Sequence, residues 1–265
     1  MSQWNVMPKC RFSFRLSSQC PTDLTHRNVK CDQGWVRFNF PLGSTEVSLE
    51  PIIASSAQDA LVEARSLLNR LLTYLFSRIQ YGPRIHPGYT YTNLDTPSDA
   101  GTTVEVPPLS WFAGPMRIGA RLDLPSGLLG AAHMRAGDLA SSPFDAFRSY
   151  YLAVEAVGKR VRRRGTDSTF LQATLPIVVS KRTLHVLRKQ LDKITLPRGS
   201  RRTDDPVKDI STTLYKGFRC ALTHAGDPTD FTPFVYDHEI QVLGALRLMR
   251  GTAWQYVRHE RTNLV

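Results

Sequence analysis

Phe144-Asp145-Ala146-Phe147-Arg148-Ser149-Tyr150-Tyr151-Leu152-Ala153-Val154-Glu155-Ala156-Val157 decides how the second half of this 265-residue chain folds. Phe144, Phe147, Tyr151, Val154, Gly158 and Val161 recur at helical spacing, and Pro143 after Ser141-Ser142 marks a helix start. The helix runs into a basic stretch and stops at Gly165. A second helix spans Lys181 to Ile194, through Leu184, Leu187 and Leu191. A third runs from about Pro206 to Ala225, through Val207, Ile210, Leu214, Phe218 and Leu222. A fourth opens at Pro233, after Thr232, and passes Ile240, Leu243, Leu246 and Met249 toward Trp254 and Val257. Four amphipathic helices of this length form a bundle.

The first half reads differently. Arg11 to Leu16 alternates, with Phe12, Phe14 and Leu16 on one face. Trp35 to Phe40 alternates in the same way. Pro41-Leu42-Gly43-Ser44 is a turn, and Thr45 to Glu50 resumes through Val47 and Leu49. These are half-buried antiparallel strands, the last two joined as a hairpin. Ser55-Ser56 offers an N-cap to a long helix over 57–80, whose Leu61, Ala64, Leu68, Leu71, Leu72, Leu75 and Ile79 face a sheet. Residues 81–101 read as a long loop broken by Gly82, Pro83, Pro87, Gly88 and Pro97. Its Tyr81, Arg84, His86, Tyr89 and Tyr91 mix rings with basic groups, which suits either base stacking or simple packing of tyrosines. Short strands return around 102–106 and 116–122. Pro125-Ser126-Gly127 then marks a boundary. The expected class is α+β: a β-rich domain with one long helix over 1–126, and a four-helix bundle over 127–265.

No apolar run approaches the roughly 20 residues that span a bilayer. The opening Met-Ser-Gln-Trp-Asn lacks a signal-peptide pattern, so a cytoplasmic protein without a membrane partner is expected. Cys10, Cys20, His26 and Cys31 lack the paired short intervals of structural zinc sites, and ordinary reduced cysteines fit better. Asp237-His238-Glu239 point in different directions on a helix and suit a surface better than a metal. A Gly-rich phosphate loop, a nucleophile elbow and a Cys-x-x-Cys pair are all missing, so no metal and no cofactor are expected.

The net charge is +11. Thirteen Lys or Arg against Asp167 and Asp192 lie between Lys159 and Arg202, so this segment carries the whole excess. Its runs are Lys159-Arg160 with Arg162-Arg163-Arg164, Lys181-Arg182 with Arg188-Lys189, and Arg198 with Arg201-Arg202. Concentrated charge of this kind suits a polyanion such as RNA, or else a solvated surface.

Phe218-Arg219-Cys220-Ala221-Leu222-Thr223-His224 closes the third helix, with Gly226 and Pro228 just beyond. Arginine clamps phosphate and histidine moves protons near neutral pH. His224 at the helix C-terminus meets the negative end of the dipole, which favours its charged form. Thr223 adds a hydroxyl. On an ideal α-helix five residues turn roughly 500°, which sets the two side chains about 140° apart. A fraying last turn or a second subunit must then bring them to one phosphate. Glu155 and Arg148, seven apart, share a face of the first bundle helix. Glu155 is a candidate to support the site or to form a buried ion pair with Arg219.

On this Arg-x4-His pattern, and on the helix from Phe144, residues 127–262 resemble the HEPN superfamily. The resemblance implies a helical bundle acting as a dimer, with Arg219 and His224 as catalytic residues of a metal-independent endoribonuclease. It equally allows a member that only binds or scaffolds. Cys220 departs from the polar residue that often follows the arginine in that superfamily. The full-length pattern is also similar to uncharacterised proteins labelled for methylamine utilisation, which implies no chemistry. The expected partners are RNA, held through Arg160, Arg162, Arg163, Arg164, Lys181, Arg182, Arg188 and Lys189, and a second copy of the chain.

Overall fold

The computed structural model describes residues 9–31, 34–94, 121–122, 128–162, 168–194, 202–220, 222 and 236–263. The chain divides into two compact units, Met1–Ser126 and Gly127–Val265. Its class is α+β.

Among the described residues of the first unit, six strands form one sheet in the order β5-β1-β4-β3-β2-β6. They are β1 (Lys9–Leu16), β2 (Arg27–Cys31), β3 (Gly34–Asn39), β4 (Glu46–Ile53), β5 (Ile85–Asn93) and β6 (Arg121–Leu122). These strands pair antiparallel except for β2 with β6. Alternation makes the sheet two-faced. Cys10, Phe12, Phe14 and Leu16 point into the core while Arg11 and Arg15 are exposed. The register sets Phe12 beside Leu49 and Phe14 beside Val47, so neighbouring strands bury the same face.

Helix α1 (Ala57–Ile79) covers that face with Ala60, Ala64, Leu67, Leu68, Leu71, Leu72 and Leu75, all in one core with the strands. Each buried leucine contributes about 1.5–3 kcal/mol. Ser56 Oγ accepts from the Asp59 N–H at 3.1 Å and fixes the start of α1. Gln80, at φ 56°, closes it.

Strand β5 lies where the sequence suggests a loop. Tyr89 pairs with Phe14 and Tyr91 with Phe12, and the Phe12 and Tyr91 rings lie 5.4 Å apart. Pro87 and Gly88 obscure the alternation, but an edge strand tolerates a residue that cannot donate. Strand β2 is a further element that the sequence does not announce. The strand expected at 102–106 falls outside the described residues.

The second unit contains the four expected helices and, among its described residues, two more. They are α2 (Leu129–Leu139), α3 (Pro143–Val161), α4 (Ser168–Val178), α5 (Lys181–Leu191), α6 (Pro206–Thr212) and α7 (Tyr236–Asn263). A π-helical segment, Thr213–Cys220, continues α6. Ser142 Oγ caps α3 at the Phe144 N–H, with Pro143 in the first turn.

Helix α3 packs against both α2 and α7. Helix α2 has no side-chain cap of its own. Glu260 of α7, fully buried, accepts instead from the Gly130 N–H at 3.2 Å and the Ala131 N–H at 3.3 Å. Asp138 ties the other end of α2 to its neighbours, accepting from Tyr150 Oη at 2.7 Å and from Arg250 Nε at 2.9 Å. Among the described residues, no helix is long and apolar enough to cross a membrane.

Candidate functional site

Helix α3 carries Arg148, Tyr151 and Glu155 at i, i+3 and i+7, hence on one face. That face meets the π-helical segment. Phe147 packs on Phe218 with ring centroids 5.6 Å apart, and Tyr151 on Tyr215 at 6.4 Å. Arg219 follows Phe218 and projects over these rings. Its guanidinium lies 5.4 Å from the centre of the Tyr215 ring and 5.9 Å from that of Tyr151. Both distances suit cation–π attraction.

Arg219 Nη2 sits 3.9 Å from Glu155 Oε1. This is an ion pair, too long for a hydrogen bond. The Arg219 side chain keeps 27% of its surface exposed and Glu155 keeps 13%. Glu155 Oε1 and the Tyr151 hydroxyl are both buried, with no hydrogen-bond partner among the described residues. Each such atom costs about 1–3 kcal/mol, so two together beside a part-exposed cation mark this cluster out. Burial, then the nearby Glu155 carboxylate, pushes the Tyr151 phenol well above its usual range. Tyr151 therefore stays protonated and remains a donor.

Arg148 Nη2 donates to the Leu222 carbonyl at 2.7 Å and holds the chain just past Cys220. Thr223 and His224 lie outside the described residues, so the structure places only the arginine of the pair. The π-helix also bears on the pair. An angle of about 140° assumes α-helical winding throughout, whereas Thr213–Cys220, which includes Arg219, winds as a π-helix. Single π-helical turns are rare and recur at functional sites.

The basic residues part into two groups. Arg188 is used internally: its Nη1 pairs with the buried Asp209, its Nε lies 3.3 Å from Asp192, and its Nη2 donates to the Thr203 carbonyl at 3.2 Å. Burial alone would raise the Asp209 carboxyl. The Thr203 N–H and hydroxyl, with Arg188, outweigh that and hold it below the usual range. Arg160 approaches Glu260 at 3.5 Å. Arg162, Lys181, Arg182 and Lys189 are exposed on the second unit. Arg163 and Arg164 lie outside the described residues.

Among the described residues no three His, Cys, Asp or Glu side chains gather as metal ligands. Cys10 and Cys20 are buried in the first unit, and burial pushes the Cys20 thiol up to about 12. Sequence reasoning misses the tyrosines beside Arg219 as site residues. It takes Tyr151 only as a core position and passes over Tyr215, although Tyr215 and Arg219 stand four apart.

Comparison with protein-family models, curated proteins and solved structures finds no match.

Proposed function

We propose that this protein is a metal-independent endoribonuclease of HEPN type. The observation that carries the reading is the Arg219–Glu155–Tyr151 cluster, a part-exposed arginine held by a carboxylate and two rings at the head of the Arg-x4-His motif. Arg219 offsets charge on the phosphate oxygens, and Glu155 positions it. His224 takes the proton of the ribose 2′-hydroxyl. The 2′-oxygen bonds to phosphorus, the bond from phosphorus to the 5′-oxygen breaks, and that oxygen leaves with a proton. The products are a 2′,3′-cyclic phosphate and a 5′-hydroxyl.

RNA lies along the exposed Arg162, Lys181, Arg182 and Lys189. Two copies of the chain set their motif helices near a two-fold axis and complete one site. The substrate is met in the cytoplasm. Cleavage of single-stranded RNA in EDTA tests the reading, and both Arg219→Ala and His224→Ala should abolish it. An intact dimer that leaves RNA uncut removes the enzyme.

A second reading is a nucleic-acid-binding protein without turnover. The pairing of Arg219 with Glu155 favours it, because a carboxylate competes with phosphate for the same guanidinium. Binding would then fall steeply with salt, and Arg219→Ala would hardly change it.

A further inference from the structure

The face of the sheet opposite α1 is polar, and one part of it is concave. Strand β4 pairs with β3 only as far as Arg37↔Glu50, yet it follows β1 to Lys9↔Ile53. The β1–β4 register shifts between Cys10 and Phe12, leaving Glu50 and Pro51 opposite Arg11. A bulge of this kind bends a strand and re-aims its side chains. A cavity of about 680 Å³ lies here, lined by Lys9, Arg11, Asn28, Trp35, Arg37 and Glu50 among others. Pro51 and Leu94 give it apolar wall.

Its chemistry has two distinctive parts. The first is Trp35. Period-two alternation puts Trp35 and Arg37 on the open face while Val36 and Phe38 enter the core. Trp35 keeps 45% of its surface exposed, a large flat ring amid charged neighbours. An indole ring exposed to this extent has the size and flatness to stack on a base. The second is the charge pattern. Among the described lining residues three cations accompany one carboxylate, Glu50, which accepts from Arg11 Nε. Among its described residues the lining is therefore net positive, with Lys9 on β1 and Arg37 on β3. Asn28 adds an amide that both donates and accepts. A flat ring, cations beside it and one amide match an aromatic base attached to a phosphate. An aliphatic acid would use the cations and leave the ring idle.

We infer that this cavity is a nucleotide site, with the base stacked on Trp35 and the phosphate held by Arg37 and Lys9. The same chemistry is met in a free nucleotide and in one residue of a single-stranded RNA. The site does not depend on the ribonuclease reading, because its described lining residues belong to the first unit and its readout is binding.

Calorimetric titration of the full chain tests it, using adenosine 5′-monophosphate, adenosine, ribose 5-phosphate and a ten-residue single-stranded RNA. The nucleotide should bind at least tenfold tighter than adenosine or ribose 5-phosphate, since adenosine lacks the phosphate and ribose 5-phosphate the base. Trp35→Ala and Arg37→Ala should each weaken it about tenfold, in line with removal of one stacking platform or one charged hydrogen bond. Trp35→Phe should keep most of the affinity. If RNA binds tighter than the nucleotide and is displaced by it, the source is a strand. If the nucleotide binds and RNA does not compete, the source is a free nucleotide. The proposal is overturned if the nucleotide and ribose 5-phosphate bind alike, if Trp35→Ala changes neither nucleotide nor RNA affinity, or if neither ligand binds. Running Arg219→Ala alongside separates the two proposals, since losing RNA cleavage leaves nucleotide binding in the first unit intact.

Discussion

Arg219 and Glu155 face each other across the contact between α3 and the π-helical segment, Nη2 to Oε1 at 3.9 Å. The distance is near enough for attraction and too far for a hydrogen bond, so Glu155 acts on Arg219 through charge. The tyrosine rings below restrict it further.

Glu155 is thus expected to act through Arg219. Glu155→Ala should lower RNA cleavage about tenfold or more by letting the guanidinium wander. Glu155→Gln should fall between that variant and the parent. Under the binding reading, Glu155→Ala should instead raise RNA affinity by releasing Arg219 to a phosphate. Cleavage and binding measured on the same preparations tell the two apart.

Arg148 secures the end of the same segment. Its donation to the Leu222 carbonyl is a charged hydrogen bond at 2.7 Å, on a half-exposed side chain. Arg148→Ala should cost about 1 kcal/mol in urea unfolding. Arg148→Lys should recover part of it. The lysine has the charge but not the reach of the planar fork.

Much of this architecture is readable in the sequence and some is not, for identifiable reasons. The alternation of Phe12, Phe14 and Leu16 and the Ser142-Pro143 start of α3 are local signals, and both elements appear where they point. Helix α2 is invisible locally because its cap comes from Glu260, far along the chain. Helix α4 is hidden by Pro176 in its interior. The basic runs read as one surface. Only tertiary packing reveals that Arg188 belongs to Asp209 and Arg160 to Glu260, because their partners lie on other helices. The π-helical winding that carries Arg219 has no simple sequence signal at all.

Gly158 is a close-approach site in α3. An added Cβ would lie 2.3 Å from Cζ of Phe170. Alanine would gain about 1 kcal/mol of helix propensity there. Overpacking against a buried ring costs about 1–3 kcal/mol and wins. Gly158→Ala should therefore lower the urea midpoint. Adding Phe170→Leu should restore part of it, a favourable coupling that a double-mutant cycle reads directly.

Asp209 makes the second unit acid-sensitive. Its folded carboxyl titrates below the unfolded value of about 3.9. Stability from this group is therefore full above the unfolded value and is lost as pH falls through the lower folded one. Asp209→Asn should remove that share of the acid sensitivity. At pH 7 it should cost about 3 kcal/mol, because Arg188 is left without its buried partner. Unfolding followed from pH 7 to pH 2 in both proteins should show the curves converging at the acid end. Parallel curves would mean that Asp209 is not the group that titrates.

Arg162, Lys181, Arg182 and Lys189 are exposed, whereas Arg188 is held by Asp209, Asp192 and the Thr203 carbonyl. Charge reversal should separate the two roles. Glutamate at any of the four exposed positions should leave stability within about 0.5 kcal/mol. It should weaken RNA binding and reduce the slope of log affinity against log salt by about 0.7 for each phosphate that is no longer neutralised. Arg188→Glu should do the reverse of this and destabilise the second unit by several kcal/mol, since it sets a carboxylate against the buried Asp209. Filter binding of single-stranded RNA at several salt concentrations, with urea unfolding of the same proteins, measures both effects. Unchanged affinity and slope in all four exposed variants would place the RNA elsewhere on the molecule. A stable Arg188→Glu protein would mean that Asp209 can be satisfied without its arginine.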